Sequence, residues 1–213
     1  MIIIRKTLLA FTGLFICFFL IAHLGANFIL LLPASKAHPL YNAYSSFLRN
    51  NFLVMIIAYV NYACIISHVI LSVLITVKNR RSKGFTNQKN ATLENSSWTS
   101  QNMGLLGTIL LAFIVIHMAN FWFKVKFSGE DHDLYLMVIS LFSSPGYAAF
   151  YFLAMLPLGL HLAHGVESGF RSIGLYHNKF LRWIAKAGVA YAWFTAIGFA
   201  IIPLIIYFRQ ETL

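Results

Sequence analysis

Four histidines lie deep inside four separate apolar stretches of the chain: His23, His68, His117 and His161. Counted from the residue at which each stretch begins, their offsets are 16, 17, 15 and 16 residues. The starting residues are Thr7, Asn51, Asn102 and Pro145. In a helix each imidazole therefore lies roughly 24 Å along the axis. Ionisable side chains inside a membrane are costly and usually functional, so four of them at matching depth predict a shared chemical role.

Equal offsets in consecutive membrane helices place the histidines at two levels, because such helices run in opposite directions. His23 and His117 are expected near the outer face, and His68 and His161 near the inner face. In an apolar core about 30 Å thick, the two levels are roughly 18 Å apart. Two imidazoles at one depth can bind a haem iron from both sides, which leaves no position open for oxygen and suits electron transfer. The pattern predicts two haems stacked across the membrane.

Other roles explain a single histidine more easily than they explain all four together. A lone histidine in a helix is more often a hydrogen-bonded core residue, and a closed zinc or copper site needs three or four ligands at one level. His164 follows His161 on nearly the same helix face, so either ring could reach an iron, with a slight preference for His161 from its offset. The remaining histidines fall in the loops that are expected to connect the apolar stretches, and are expected mostly at the surface: His38, His132 and His177.

Two glycines repeat at the same offset, since Gly13 and Gly107 each stand ten residues before the outer histidine of their stretch. Without a side chain, a flat macrocycle or another helix can approach the backbone closely, although generic helix packing explains each glycine equally well. The repetition suggests a pocket shared around the outer haem.

The composition agrees with helices that cross lipid. Of 213 residues, 59% are hydrophobic and 10% are charged, against roughly 25% charged in soluble domains. We predict an all-α bundle of five transmembrane helices forming one domain over residues 1–213. The first apolar stretch exceeds the 7–15 residues of a signal-peptide core and is expected to be retained. The spans are expected at about 7–32, 51–77, 102–123, 145–168 and 186–208.

The net charge of +10 does not indicate nucleic-acid binding, because the Lys and Arg residues flank the apolar stretches. With the N-terminus inside, the inner ends carry 11 of the 16 basic residues and the outer ends carry five. The positive-inside rule then predicts N-in and C-out. Cys17 and Cys64 stand in separate apolar stretches and do not resemble a disulfide or metal motif.

Several motifs resemble the cytochrome b membrane subunit of succinate dehydrogenases and fumarate reductases, in its single-chain, two-haem form. They are Thr12-Gly13, the run from Phe19 to Leu24 with Asn27, the run from His38 to Tyr44, Ile116-His117-Met118 with Phe121-Trp122, and the run from His161 to Leu175 with His164-Gly165. The resemblance covers nearly the whole chain and is specific only in combination.

The resemblance implies the same ligands, with His23 and His117 on the outer haem b and His68 and His161 on the inner one. It also implies a flavoprotein and an iron–sulfur subunit on the cytoplasmic face of a bacterial-type inner membrane. Those partners would carry the succinate or fumarate chemistry of the tricarboxylic acid cycle. This chain would be the electron-transfer and quinone-reactive subunit, exchanging menaquinone rather than ubiquinone near the outer haem.

The chain departs from the family at positions linked to protons. Gly159 stands where some relatives have a carboxylate two residues before the fourth ligand, and residues 33–50 contain no acid. The family's proton path therefore does not transfer to this chain. Glu167 is the only carboxylate within a span, and we expect it to pair with Arg171 rather than to relay protons.

Haem propionates and a quinone need cations or hydroxyl donors near the membrane surface. Arg171, Arg182 and Ser168 are candidates at the inner haem, whereas interfacial aromatic residues at the outer end are also typical membrane anchors. The outer candidates are Arg49, Lys124, Tyr41 and Tyr44 for the propionates, and His38, Tyr41, Tyr44 and Trp122 for the quinone. The alternatives in function are a cytochrome b subunit of a hydrogenase or formate dehydrogenase, and a haem-free transporter.

Overall fold

The computed structural model describes residues 2–82, 98–127, 133–175 and 178–210, and these residues form helices joined by short connections. The helices are α1 (Ile2–Asn27), α2 (Ala34–Asn50), α3 (Phe52–Ser82), α4 (Trp98–Met118), α5 (Leu134–Phe142), α6 (Pro145–Ser172) and α7 (Asn178–Gln210). A 3-10 turn, Phe28–Leu31, continues α1. A π turn, Ala119–Phe123, continues α4 and is followed by a last helical turn, Lys124–Phe127.

Among the described residues, five helices are long and apolar enough to cross a membrane, which confirms the predicted number. They are α1, α3, α4, α6 and α7, with apolar segments Ile4–Leu31, Phe52–Asn79, Trp98–Phe127, Pro145–Ser172 and Arg182–Arg209. Their outer surfaces carry large exposed apolar side chains, for example Ile66 and Ile70 on α3. In water such a surface would be unfavourable, whereas lipid tails solvate it.

The long helices run up and down. The Thr7 hydroxyl near the start of α1 donates to the Ser172 carbonyl at the end of α6, so these two helices are antiparallel. Arg209 near the end of α7 donates to the Leu31 carbonyl just after α1, so α7 runs parallel to α1. We call the side where α1 begins the N-terminal side and the opposite one the C-terminal side.

Helices α6 and α7 approach each other closely through small residues. A Cβ atom at Gly159 would lie 3.0 Å from the Trp193 ring, and one at Gly188 would lie 2.9 Å from Val166. Lipid supplies no hydrophobic driving force between helices. Small residues at such crossings let the backbones approach closely, so that van der Waals packing holds the helices together. Of the five long helices, α6 and α7 have the most buried apolar segments. Helix α7 packs against α6 but does not contribute a histidine to either pair.

Two short helices cover the C-terminal side, where the sequence predicted only connecting loops. The expectation that His38 lies in a loop is wrong, because residue 38 belongs to α2. His132 and His177 lie outside the described residues. The largest buried apolar cluster joins α2 and α5 to the long helices and comprises Leu24, Leu30, Ala37, Tyr135, Val138, Phe142, Tyr151, Ile202 and Ile206.

Candidate functional site

Two pairs of imidazole rings meet inside the bundle, one near each side. On the C-terminal side, His23 of α1 faces His117 of α4 with ring centroids 5.8 Å apart and planes at 82°. On the N-terminal side, His68 of α3 faces His161 of α6 with centroids 6.4 Å apart and planes at 68°. The structure thus brings together the same couples that the sequence pattern predicted, each from two different helices.

These separations fit two imidazoles bound to one metal ion from opposite sides. Metal–imidazole bonds of about 2.0–2.1 Å on each side place the ring centroids about 6 Å apart. The Nδ1 atoms of His117 and His161 are buried and have no hydrogen-bond partner among the described residues. In the part of the chain that the structure describes, no three metal-binding side chains come together, so a closed zinc site does not match the residues present. Two facing imidazoles at each level are a donor set that a six-coordinate haem iron could use.

Gly13 and Gly107 lie beside the N-terminal pair. A Cβ atom at Gly13 would be 3.0 Å from Cε1 of His68, and one at Gly107 would be 3.7 Å from Cε1 of His161. The expectation that they line the outer pocket is wrong, because ten residues of helix separate each glycine from the outer histidine by roughly 15 Å. The same ten residues put roughly 15 Å between the two levels, against the roughly 18 Å that was predicted.

Aromatic rings surround the C-terminal pair. His23 stacks on Phe19 at 5.3 Å, and α7 contributes Phe199 at 5.6 Å. His117 contacts three further rings with centroids 5.3–6.0 Å away, which belong to Phe113, Phe121 and Tyr151. Sequence reasoning did not assign these residues, because 20 phenylalanines and ten tyrosines spread over the chain give no signal of their own. Such rings form an apolar wall next to the two imidazoles.

Both helices that carry the C-terminal pair leave α-geometry soon after the histidine. The Asn27 amide donates to the His23 carbonyl at 2.8 Å, and the chain then tightens into the 3-10 turn. In α4 the π turn begins two residues after His117, and its Asn120 amide donates to the Tyr151 hydroxyl at 3.0 Å. π turns are rare and frequently mark functional sites.

In the fourth apolar stretch, His161 is the ring that lies opposite His68, and His164 lies one helical turn closer to the N-terminal side. The predicted pair of Glu167 and Arg171 is confirmed, with Oε1 and Nη2 2.5 Å apart. Because Arg171 neutralises Glu167 within the same helix, the only carboxylate in a span has a structural partner.

The other predicted surface candidates are distributed over both sides. Arg182 and Ser168 are exposed on the N-terminal side, and Arg49 is exposed at the end of α2. Tyr44 is half-buried, and Tyr41 packs against the buried cluster, where burial raises the pKa of its hydroxyl to about 12. Trp122 packs edge-on against Tyr62, with ring centroids 6.2 Å apart.

Lys124 lines an open pocket of about 540 Å³ on the C-terminal side, between the end of the third span and α5. The polar side chains that share this pocket include Asn120, Asp133, Ser140 and Tyr147. Through Asn120 the pocket is connected by hydrogen bonding to Tyr151, whose ring contacts His117. One predicted candidate therefore lies within two side chains of the C-terminal histidine pair.

His38 takes part in a contact that fastens α2 to α5. Its Nε2 atom lies 2.5 Å from Asp133 Oδ2, and its ring packs on Tyr135 with centroids 4.9 Å apart. Partial burial opposes ionisation of Asp133, but hydrogen bonds from the Leu136 N–H, His38 and Asn42 outweigh it and lower the pKa of the carboxyl. This arrangement holds the two short helices together on the C-terminal side.

Comparison of the chain with models of protein families, with curated proteins and with solved structures finds no match. The chemistry assigned to the site therefore rests on the residues and their geometry.

Proposed function

We propose that this chain is a membrane cytochrome b that binds two haem b groups and carries electrons between a membrane quinone and a soluble redox partner. His23 and His117 hold one haem, and His68 and His161 hold the other. One observation carries the proposal: two couples of facing imidazoles, at 5.8 Å and 6.4 Å between centroids, lie at two depths of one helix bundle. A haem held on both faces supplies one-electron transfer without an open coordination position.

The chain itself positions the four imidazoles. Each member of a couple comes from a different helix, so the depth and angle of the rings depend on how the bundle packs. Around the C-terminal couple, Phe19, Phe113, Phe121 and Phe199 supply apolar contact. Around the N-terminal couple, Gly13 and Gly107 leave space next to the rings.

The proposed setting is a succinate:quinone or quinol:fumarate oxidoreductase in a bacterial-type cytoplasmic membrane. The motif resemblance and the excess of basic residues at the inner ends support it. In this setting the N-terminal side faces the cytoplasm, and the flavoprotein and iron–sulfur subunits dock there. Arg171, Arg182 and Ser168 would then lie at the docking face, close to the inner haem.

The quinone is proposed to react on the C-terminal side, and menaquinone is the expected species. The pocket next to Lys124 supports this location, because Asn120 and Tyr151 connect it to His117. A cation and hydroxyl or amide donors beside an apolar bundle are the groups that a quinone head needs.

The direct test is a visible spectrum of the purified protein together with haem quantification. We expect two protohaem groups per chain and the spectra of bis-imidazole coordination. A folded preparation without haem would refute the proposal. Copurification with a flavoprotein and an iron–sulfur protein is the expected result for the succinate or fumarate assignment, whereas a metal hydrogenase or a formate dehydrogenase subunit would assign the chain to another redox complex.

Removal of single ligands tests the pairing. His68→Ala is expected to lose the N-terminal haem alone and His117→Ala the C-terminal haem alone, so each variant should retain one haem per chain. His164→Ala is the matched control, because it removes a nearby imidazole and is expected to leave both haems bound. Retention of two haems in either ligand variant would contradict the pairing.

A further inference from the structure

Thr12 of α1 lies against one of the N-terminal imidazoles. Its Oγ1 atom is 3.2 Å from Nδ1 of His68 on α3. The same oxygen is 3.0 Å from the carbonyl oxygens of Leu8 and of Leu9, one turn earlier in α1. One hydroxyl group thus stands between the backbone of α1 and the ring of a proposed haem ligand on another helix.

The chemistry of these atoms sets the direction of the hydrogen bond. A carbonyl oxygen can only accept, and a threonine hydroxyl has a single proton. The Thr12 proton points to the backbone of its own helix, where two acceptors lie closer than the imidazole. The Thr12 lone pairs then face His68, so Nδ1 of His68, 3.2 Å away, must be the hydrogen-bond donor.

The next residue makes this approach sterically feasible. A Cβ atom at Gly13 would lie 3.0 Å from Cε1 and 3.4 Å from Nδ1 of His68. The first distance is closer than side-chain carbons normally approach, so the ring fits against α1 only because residue 13 is glycine. Thr12 and Gly13 together form a seat for the Nδ1 edge of the imidazole.

We propose that Thr12 is a positioning residue that holds His68 in the tautomer protonated at Nδ1, which leaves Nε2 as the nitrogen that binds the iron of the N-terminal haem. This inference rests on the proposed function. A ligating histidine commonly donates its other ring N–H to a fixed acceptor, which orients the ring and makes it a more basic ligand. A more basic ligand favours ferric iron, so Thr12 lowers the reduction potential of this haem. Helix α1 thereby serves both levels, since it carries His23 and seats His68.

The test compares Thr12→Val, which keeps the shape and removes the acceptor, with Thr12→Ser, which keeps the hydroxyl. Thr108→Val is the matched control, because the Thr108 hydroxyl also donates to the carbonyl four residues earlier, at 2.8 Å, on an exposed face of α4. We expect Thr12→Val to weaken binding of the N-terminal haem by about 10–100-fold and to raise its reduction potential. The C-terminal haem, Thr12→Ser and Thr108→Val should behave as the unmodified protein does.

A second readout does not need haem. In protein with ¹⁵N-labelled histidine, the His68 signal, assigned by its loss in His68→Gln, should show a proton on Nδ1 and none on Nε2. In Thr12→Val the ring should sample both tautomers. A proton on Nε2 of the unmodified protein would overturn the inference, as would a Thr12→Val variant whose N-terminal haem keeps its affinity and potential. A preparation without haem would refute the proposed function, whereas the tautomer measurement would still decide the role of Thr12.

Discussion

The two couples of histidines have different neighbours at the residue scale. Aromatic rings enclose His23 and His117, whereas a hydroxyl and two glycines lie next to His68 and His161. A substitution near one couple therefore changes either packing against rings or the space available to an imidazole. This difference allows each proposed haem to be perturbed without altering the other.

The two glycines beside the N-terminal couple provide a matched prediction. Gly13→Ala places a methyl group 3.0 Å from His68, so the ring must shift and the N-terminal haem should be bound more weakly. Gly107→Ala makes an ordinary contact of 3.7 Å with His161 and should have a much smaller effect. Haem quantification and redox titration of the two variants measure this difference, and equal behaviour would contradict the assignment of these glycines to the N-terminal level.

A pH dependence is expected from Asp133, which caps α5 and contacts His38. Hydrogen bonds and the neighbouring histidine lower the pKa of this carboxyl below its ordinary value of 3.8, although partial burial works in the opposite direction. Folding therefore favours the ionised form, and this contribution is present above pH 3.8 and is lost as the pH falls through the lower folded pKa.

The variant Asp133→Asn keeps a good capping side chain and removes the charge. It should lower the melting temperature in detergent at pH 7, by an amount that corresponds to about 0–1 kcal/mol for such a surface pair. The difference from the unmodified protein should shrink when both are measured near pH 3 and in high salt. A difference that stays constant with pH would show that the charge of Asp133 does not contribute.

Among the elements, α6 and α7 pack closely, and this contact explains why residue 159 is glycine. The space beside Gly159 is filled by Trp193 and by Ala196, whose Cβ atom would be 3.1 Å from a Cβ at position 159. A carboxylate at this position would have to displace the Trp193 ring. The absence of an acid at position 159 thus has a packing reason in this bundle.

Overpacking at this crossing should destabilise the bundle. Gly159→Ala is expected to cost about 1–3 kcal/mol of unfolding free energy, since the methyl group meets rigid neighbours at 3.0–3.1 Å. Gly165→Ala on the same helix meets nothing within 4 Å and should be neutral or slightly stabilising. Thermal unfolding in detergent, followed by circular dichroism, compares the two. Equal melting temperatures would contradict the tight packing of α6 on α7.

For the whole molecule, the exposed apolar surface is that of a bundle that lies across a membrane, and the uneven distribution of basic residues predicts its orientation. Among the described residues five helices are suited to span it, with the start of α1 and the end of α7 on opposite sides of the bundle. The direction comes from the charges, which predict the N-terminal side inside.

Reporter fusions test this orientation. Alkaline phosphatase, which becomes active only after export, should be active when fused after residue 210 and inactive when fused after residue 82. Green fluorescent protein should give the reverse result at the two positions. A phosphatase fusion that is active after residue 82 would reverse the proposed docking face and place the quinone pocket on the inner side.

The number of long helices and the place of each histidine along its helix could be predicted from the sequence, because hydrophobic length and the rise of a helix are local properties. The sequence also determined the pair of Glu167 and Arg171, which are one helical turn apart. Tertiary structure decided the rest. The level of Gly13, the helical state of residues 34–50, the seat of His68 on Thr12, and the aromatic wall around His117 depend on which helix faces which. Such contacts join residues far apart in the chain, and periodicity within one helix does not specify its neighbour.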